Sequence, residues 1–202
     1  MKQALILYAD GFEEIEGVTP FDYLRRAGIS VAAAACSPRL EITGAHGLTI
    51  TAGLTAKDAL KQYSSAPDAV ICPGGMPGAS NIAACQEAVE LILKTQAAGN
   101  VVAAICASPI VVFAKLGLLR GKTFTCFPGM EEQAEQWAGP DHKKLLENSK
   151  KTMNPAEIDG KLITGQGPGA AEEFSLALIR ELLGQDAAEK VRKEAWLRVP
   201  RL

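Results

Sequence analysis

Histidine and aromatic residues are scarce in this sequence, and no stretch of it is strongly basic. The two histidines, His46 and His142, are too few for a histidine-rich metal centre, so we expect no metal site. Aromatic side chains make up 5% of the 202 residues, which predicts a core of Ala, Val, Ile and Leu. The formal net charge is −2 and no basic cluster is present, so we predict no specific nucleic-acid binding.

Paired cysteine motifs and membrane-length apolar runs are also missing. The five cysteines are odd in number and include no CxxC pair, which argues against a disulfide framework or zinc knuckle and favours a reducing compartment. The longest apolar run, residues 101–114, is shorter than the ~20 residues of a membrane helix and contains Pro109. The apolar N-terminus stops at Asp10, so we interpret it as a first strand and not as a signal peptide. We therefore predict a cytoplasmic protein that does not contact membranes.

Strand patterns alternate with helix patterns along most of the chain. The predicted strands are residues 3–8, 30–35, 68–72, 101–105, 122–125 and 161–164, with a hairpin over 42–52. The predicted helices are residues 13–27, 81–98, 170–183 and 187–197, with another that begins at Pro109. This alternation, without repeats or linkers, predicts one α/β domain over residues 1–202: a doubly wound, mostly parallel sheet with helices on both faces.

Cys106 is the strongest candidate for a reactive residue. It directly follows the apolar segment 101–105 and precedes Pro109, which predicts a sharp turn like a nucleophile elbow without its flanking glycines. A thiol at a helix start faces free N–H groups and the positive end of the helix dipole, which predicts a lowered pKa. The alternative is a buried structural cysteine, and position alone leaves both open. We interpret the other four cysteines as structural.

Glu16 is the second candidate, at a helix start that it shares with Glu13 and Glu14. Acidic residues are favoured there by the helix dipole, so a solvated face is the simpler interpretation. Gly17, however, allows another segment to approach closely. A carboxyl in a dry site beside a thiolate has a raised pKa, and it could donate a hydrogen bond to sulfur or relay a proton. Spacing alone does not bring Glu16 to Cys106.

Three loops follow predicted strands and are therefore expected at the carboxyl edge of the sheet, where ligands bind in such folds: residues 10–14, 73–78 and 106–109. Gly74 and Gly75 could present N–H groups to an oxyanion, or could form an ordinary turn. Residues 167–169 are either a rigid helix entry or a pocket wall. No nucleotide-binding glycine motif is present.

Five segments, taken together and in this order, resemble the ThiJ/PfpI superfamily, in the branch of the Parkinson's-disease protein deglycase and bacterial YajL-like proteins. They are residues 10–16 (DGFEEIE), 25–28 (RRAG), 73–75 (PGG), 103–107 (AAICA) and 167–169 (GPG). The resemblance covers nearly the whole chain. It implies a flavodoxin-like fold and a homodimer.

The resemblance also implies roles for individual residues. Cys106 matches the reactive cysteine, and Glu16 matches the carboxylic acid that hydrogen-bonds to it. Gly75 and Ala107 match the backbone donors around the sulfur. Arg26 matches an arginine near the site and the dimer interface.

Three positions depart from the family pattern. His46 stands where many members have another arginine, which leaves that substrate or interface contact open. Phe127 stands where several members have histidine, so a Cys-His pair built from that residue is absent. Ser108 replaces a common glycine just after the elbow.

The implied function is cysteine-dependent glyoxalase or deglycase chemistry on methylglyoxal-like 2-oxoaldehydes and their early adducts, with no cofactor. Two alternatives remain. One is a redox-sensing stress-response protein or chaperone, in which Cys106 is oxidised. The other is a cysteine protease or amidase, which ranks lower because Ala107 stands where that branch has a histidine directly after its nucleophile.

Overall fold

A seven-stranded sheet forms the centre of the protein, and the computed structural model describes residues 1–198. The strands are β1 (Gln3–Tyr8), β2 (Ser30–Ala35), β3 (Glu41–Thr43), β4 (Thr49–Thr51), β5 (Leu54–Thr55), β6 (Ala69–Cys72), β7 (Val101–Ile105), β8 (Thr123–Phe124), β9 (Lys150–Lys151), β10 (Ala156–Asp159) and β11 (Leu162–Gly165). The central order is β10-β11-β7-β6-β1-β2-β5. Every neighbouring pair is parallel except β10 and β11.

Eight α-helices are described, and six of them form two packed groups. They are α1 (Glu14–Arg26), α2 (Ala56–Gln62), α3 (Gly78–Ala84), α4 (Gln86–Ala97), α5 (Ala134–Ala138), α6 (His142–Leu145), α7 (Ala171–Leu183) and α8 (Gln185–Glu194). In one group α7 packs against α1 and α8, and in the other α4 packs against α2 and α3. A π-helix spans Pro109–Ala114, and 3₁₀ turns span Glu131–Gln133 and Pro168–Ala170. The predicted doubly wound α/β fold is therefore confirmed.

The central strands are apolar throughout because both of their faces are covered. All residues of β6 and β7 are buried, and in β1 only Gln3 is exposed. Strands buried on both faces have continuous apolar sequences, which is why these three segments could be predicted. None of the helices within residues 1–198 combines the length and the apolar character needed to cross a bilayer.

Several sequence predictions about individual elements were wrong. Residues 81–98 do not form one helix, because Cys85 has an extended conformation (φ −79°, ψ 108°) that separates α3 from α4. The predicted strand 122–125 is only the two-residue β8, which pairs with β9 outside the central sheet. Helix α2 and the antiparallel edge strand β10 were not predicted.

The order of strands creates a crevice at the carboxyl edge of the sheet. The chain adds β2 on one side of β1 and later adds β6 on the other side, so the direction of winding reverses between β1 and β6. Ligands in open α/β sheets bind at this kind of switch point. The loops after β1, β6 and β7 meet there, and they carry the candidate residues.

Candidate active site

Cys106 lies in a strained turn immediately after β7. It has a positive φ of 65°, a left-handed conformation that non-glycine residues rarely adopt and that costs about 1–3 kcal/mol. The surrounding backbone holds it there: its N–H donates to the Gly165 carbonyl at 2.9 Å, and its carbonyl accepts from the Phe127 N–H at 2.8 Å. The turn is thus the predicted strand-to-helix elbow, with a π-helix after it.

Glu16 lies in the first turn of α1 and is fully buried. Its Oε2 accepts a hydrogen bond of 2.8 Å from the Gly74 N–H. Its Oε1 is buried without a hydrogen-bond partner of standard geometry among the described residues, while its carboxyl interacts with the Cys106 side chain. Glu13 caps the helix by accepting from the Glu16 N–H at 2.8 Å. The solvated-face interpretation of Glu16 is therefore wrong.

The loop after β6 closes the site through two glycines. A Cβ added at Gly74 would lie 2.6 Å from the Cys106 Cβ and 2.7 Å from Glu16 Oε2. Gly75 has a φ of 83°, and a Cβ there would lie 2.4 Å from the Glu13 backbone nitrogen. These positions accept only glycine because the backbone itself forms the wall beside the thiol and the carboxyl.

The pKa of Glu16 is raised to about 8, mainly by burial. Its hydrogen bond with Cys106 lowers the pKa, the charge of Glu13 raises it, and the N–H of Gly74 lowers it. Burial dominates because a carboxylate without water is disfavoured. Glu16 is therefore mostly protonated at neutral pH, as a proton donor or relay requires.

The pKa of Cys106 is raised rather than lowered, which contradicts the sequence prediction. Burial is the main cause, and the charge and hydrogen bond of Glu16 add to it. The backbone N–H groups of Gly75 and Ala107 hydrogen-bond to the thiol and act in the opposite direction. The helix-dipole argument omitted burial. Because Cys106 and Glu16 interact, the loss of the first proton is a property of the pair and not of either residue. Once that proton has left, the remaining one can be on the carboxyl, which gives a thiolate beside a carboxylic acid.

Ser108 has a structural role that the sequence did not reveal. Its buried hydroxyl donates a hydrogen bond of 2.6 Å to the Pro73 carbonyl. This bond joins the turn after β7 to the loop after β6 and fixes Cys106 relative to Gly74.

The two remaining predicted residues do not meet the Cys106–Glu16 pair within the described chain. His46 is largely exposed, and its Nδ1 lies 2.7 Å from Glu14 Oε2. This contact raises the pKa of His46. Arg26 is at the far end of α1, ten residues and about 15 Å along the helix from Glu16, and it forms an ion pair with Asp22.

Glu13, Glu14 and His46 are the only described group whose geometry could suit a metal ion, with candidate ligand atoms within 4.8 Å of one another. Their carboxylates already have protein donors. Glu14 accepts from the backbone N–H and ring of His46, and Glu13 caps α1. We therefore assign no cation to this group.

Comparisons with known proteins agree with the fold. The sequence profile of the DJ-1/PfpI family matches residues 2–181. The Parkinson disease protein 7 homolog of Danio rerio is 35% identical over 191 residues, which cover 95% of both chains. The glutathione-independent glyoxalase DJR-1.2 of Caenorhabditis elegans is 33% identical over 198 residues, or 97% of both chains. Protein DJ-1 homolog B of Arabidopsis thaliana is 34% identical, but the match spans only 40% of its length.

Among solved structures, the oxidized DJ-1 of Toxoplasma gondii matches with a TM-score of 0.87 and 28% identity, covering 98% of this chain and 100% of that one. Drosophila melanogaster DJ-1beta matches with a TM-score of 0.86 and 31% identity, covering 98% and 99%.

Proposed function

Because the chain belongs to the DJ-1/PfpI family, we propose that it is a cysteine-dependent glyoxalase or deglycase. Its substrates are methylglyoxal-like 2-oxoaldehydes and their early adducts with amines. The observation that carries the proposal is the buried contact between Cys106 and Glu16, with the N–H groups of Gly75 and Ala107 directed at the sulfur. The relative named as a glutathione-independent glyoxalase, 33% identical over nearly its whole length, supports this substrate class.

In the first step, Cys106 attacks the aldehyde carbon. Glu16 in its carboxylate form takes the thiol proton as the carbon–sulfur bond forms, and as an acid it then protonates the new alkoxide. The product is a hemithioacetal. The N–H groups of Gly75 and Ala107 stabilise negative charge, first on the sulfur and then on the developing oxyanion.

In the second step, Glu16 moves a proton between carbons. Its carboxylate removes the hydrogen from the former aldehyde carbon, and the resulting enediol is protonated at the adjacent carbon. The hemithioacetal thereby becomes a thioester of lactate. Water then cleaves the thioester, which releases lactate and restores the Cys106 thiol. The oxidation of one carbon balances the reduction of its neighbour, so the reaction needs no redox cofactor.

We further propose that the protein acts as a cytoplasmic homodimer and that Arg26 and His46 contribute contacts at the substrate site or the subunit interface. Arg26 is exposed and distant from Glu16 along α1, which favours the interface for this residue. The exposed ring of His46 lies beside Glu14, the first residue of α1 and two residues before Glu16.

The direct test measures methylglyoxal consumption and lactate formation without added thiol. We expect lactate from the wild type and at least about a hundredfold less from Cys106→Ala and Glu16→Gln, the loss typical of a removed nucleophile or proton relay. Cys85→Ala and the surface variant Glu90→Gln are matched controls that should retain activity. A wild type that forms no lactate would overturn the proposal.

A redox-sensing role is the second candidate, because a protonated Glu16 is positioned to hydrogen-bond to oxidised Cys106. Mild peroxide should then add about 32 Da at Cys106, for two oxygen atoms, and alter partner binding or chaperone activity. Oxidation spread evenly over all five cysteines would exclude this role.

A further inference from the structure

A second pair of cysteines lies at the carboxyl edge of the sheet, away from Cys106. Cys36 follows β2, and Cys85 separates α3 from α4. Both line a cavity of about 920 Å³ that opens at the surface between these elements. Both side chains are half-buried, whereas Cys72 and Cys126 are fully buried. The sequence alone favoured a structural role for both residues and did not indicate that they share a cavity.

Backbone hydrogen bonds fix the positions of the two cysteines beside the cavity. The Cys36 N–H donates to the Tyr8 carbonyl at 2.7 Å, which extends the β1–β2 ladder by one residue. The Cys85 N–H donates to the carbonyls of Asn81 and Ile82 at 3.1 Å each. The two side chains are close enough for each to affect the pKa of the other.

The two thiols have different chemical characters. The contact with Cys36 lowers the pKa of Cys85 to about 7, with burial opposing this and the Ala88 N–H adding to it. Glu87 acts in the opposite direction, and its Oε2 lies 3.7 Å from the Cys85 sulfur. The pKa of Cys36 is raised by the same thiol contact and by burial. Cys85 is also the N-cap residue of α4, a position that favours the thiolate, whereas Cys36 follows a strand. We therefore assign the attacking thiolate to Cys85 and the resolving thiol to Cys36.

We propose that Cys36 and Cys85 form a redox modification site, in which a peroxide converts the two neighbouring thiols to a reversible intramolecular disulfide. The Cys85 thiolate attacks a peroxide oxygen, the O–O bond breaks, and Cys85 sulfenic acid and hydroxide result. The Cys36 sulfur then attacks the Cys85 sulfur and displaces the hydroxyl group of the sulfenic acid. This hydroxyl takes the Cys36 thiol proton and leaves as water. Two thiols and one hydrogen peroxide thus give one disulfide and two waters.

This site is separate from the Cys106–Glu16 pair. Strand β7, which leads to Cys106, is three positions from β2 in the sheet, and β6 and β1 lie between them. At about 4.8 Å per position, the two strand ends are about 14 Å apart. A direct bond between Cys106 and either Cys36 or Cys85 is therefore excluded in the folded protein, and oxidation at the two sites is expected to be independent.

The test treats the folded, reduced Cys106→Ala protein with hydrogen peroxide, so that oxidation of Cys106 does not interfere. We expect a mass loss of about 2 Da that dithiothreitol reverses, as the formation of one disulfide requires. Trypsin leaves Cys36 in residues 27–39 and Cys85 in residues 62–94, which also contain Cys72. Fragment ions must therefore place the bond, and a Cys72→Ser variant should retain it.

Two further variants separate the roles of the thiols. In Cys36→Ser, Cys85 should accumulate as a sulfenic acid that a dimedone probe traps. In Cys85→Ser, Cys36 should stay reduced at the peroxide dose that cross-links the parent protein. The proposal is overturned if the parent shows no Cys36–Cys85 peptide while both thiols remain alkylatable, or if the cross-link joins two chains. Lactate formation by the wild type is measured separately, so failure here leaves the proposed enzymatic function unaffected.

Discussion

The buried Glu16 carboxyl should make the protein less stable as pH rises, and Glu16→Gln should remove that effect. In the unfolded chain the carboxyl loses its proton near its ordinary pKa of 4.5, whereas in the folded protein it keeps the proton until about 8. Between these values the unfolded state binds fewer protons, so the free energy of unfolding falls with rising pH, by about 1.4 kcal/mol per pH unit. Over the whole interval the loss is about 5 kcal/mol.

The glutamine variant isolates this effect because its amide cannot ionise. Its oxygen can still accept from the Gly74 N–H, so the local packing is retained. Urea unfolding at about pH 5, 7 and 9 measures the free energy at each pH. We expect Glu16→Gln to gain about 4 kcal/mol relative to the wild type between pH 5 and pH 9, because at pH 5 the unfolded carboxyl is already largely ionised. Glu90→Gln, on the exposed face of α4, should follow the wild type. Parallel curves for wild type and Glu16→Gln would refute a raised pKa at Glu16.

Three further substitutions test the close packing, the buried hydrogen bond and the strained turn around Cys106. Gly74→Ala should abolish lactate formation and destabilise the fold by about 1–3 kcal/mol in urea, because its Cβ would lie 2.6 Å from the Cys106 Cβ; wild-type activity would contradict the fit. Ser108→Ala should cost about 1–3 kcal/mol, because the Pro73 carbonyl loses a buried donor; an unchanged unfolding midpoint would show that this bond adds nothing. Cys106→Gly should be about 1 kcal/mol more stable than the equally inactive Cys106→Ala, since glycine tolerates a φ of 65°; the reverse order would exclude strain at this turn.

The elements that the sequence could predict are those whose own residues determine them. β1, β6 and β7 are continuous apolar runs, and α1 ends at Arg26, shortly before Gly28, which has a φ of 83°. The unpredicted strand β10 is different. All four of its residues are half-buried, and it exists because it pairs with β11. Local sequence contains little information about such an edge strand, since tertiary pairing decides it.

The candidate site divides in the same way. The elbow at Cys106 could be located from a strand followed by a cysteine and a nearby proline. The contact between Glu16 and Gly74 joins residues 58 positions apart, so only the family resemblance indicated that Glu16 is buried beside the thiol. The direction of the Cys106 pKa was wrong because burial, which raises it, depends on the folded surroundings and outweighs the backbone donors.

The arrangement that makes the site reactive also lowers the stability of the fold. The strained turn at Cys106 costs free energy at every pH, and the carboxyl of Glu16 costs more as pH approaches the value at which the pair can release a proton. Cys106 directly follows β7, the fully buried strand between β6 and β11, and Glu16 contacts it from the first turn of α1. The stable centre of the sheet is thus what allows a protonated acid and a buried thiol to remain in contact. A substitution that relaxed either residue would stabilise the protein and remove its chemistry, which is the stability–activity conflict expected of an active site.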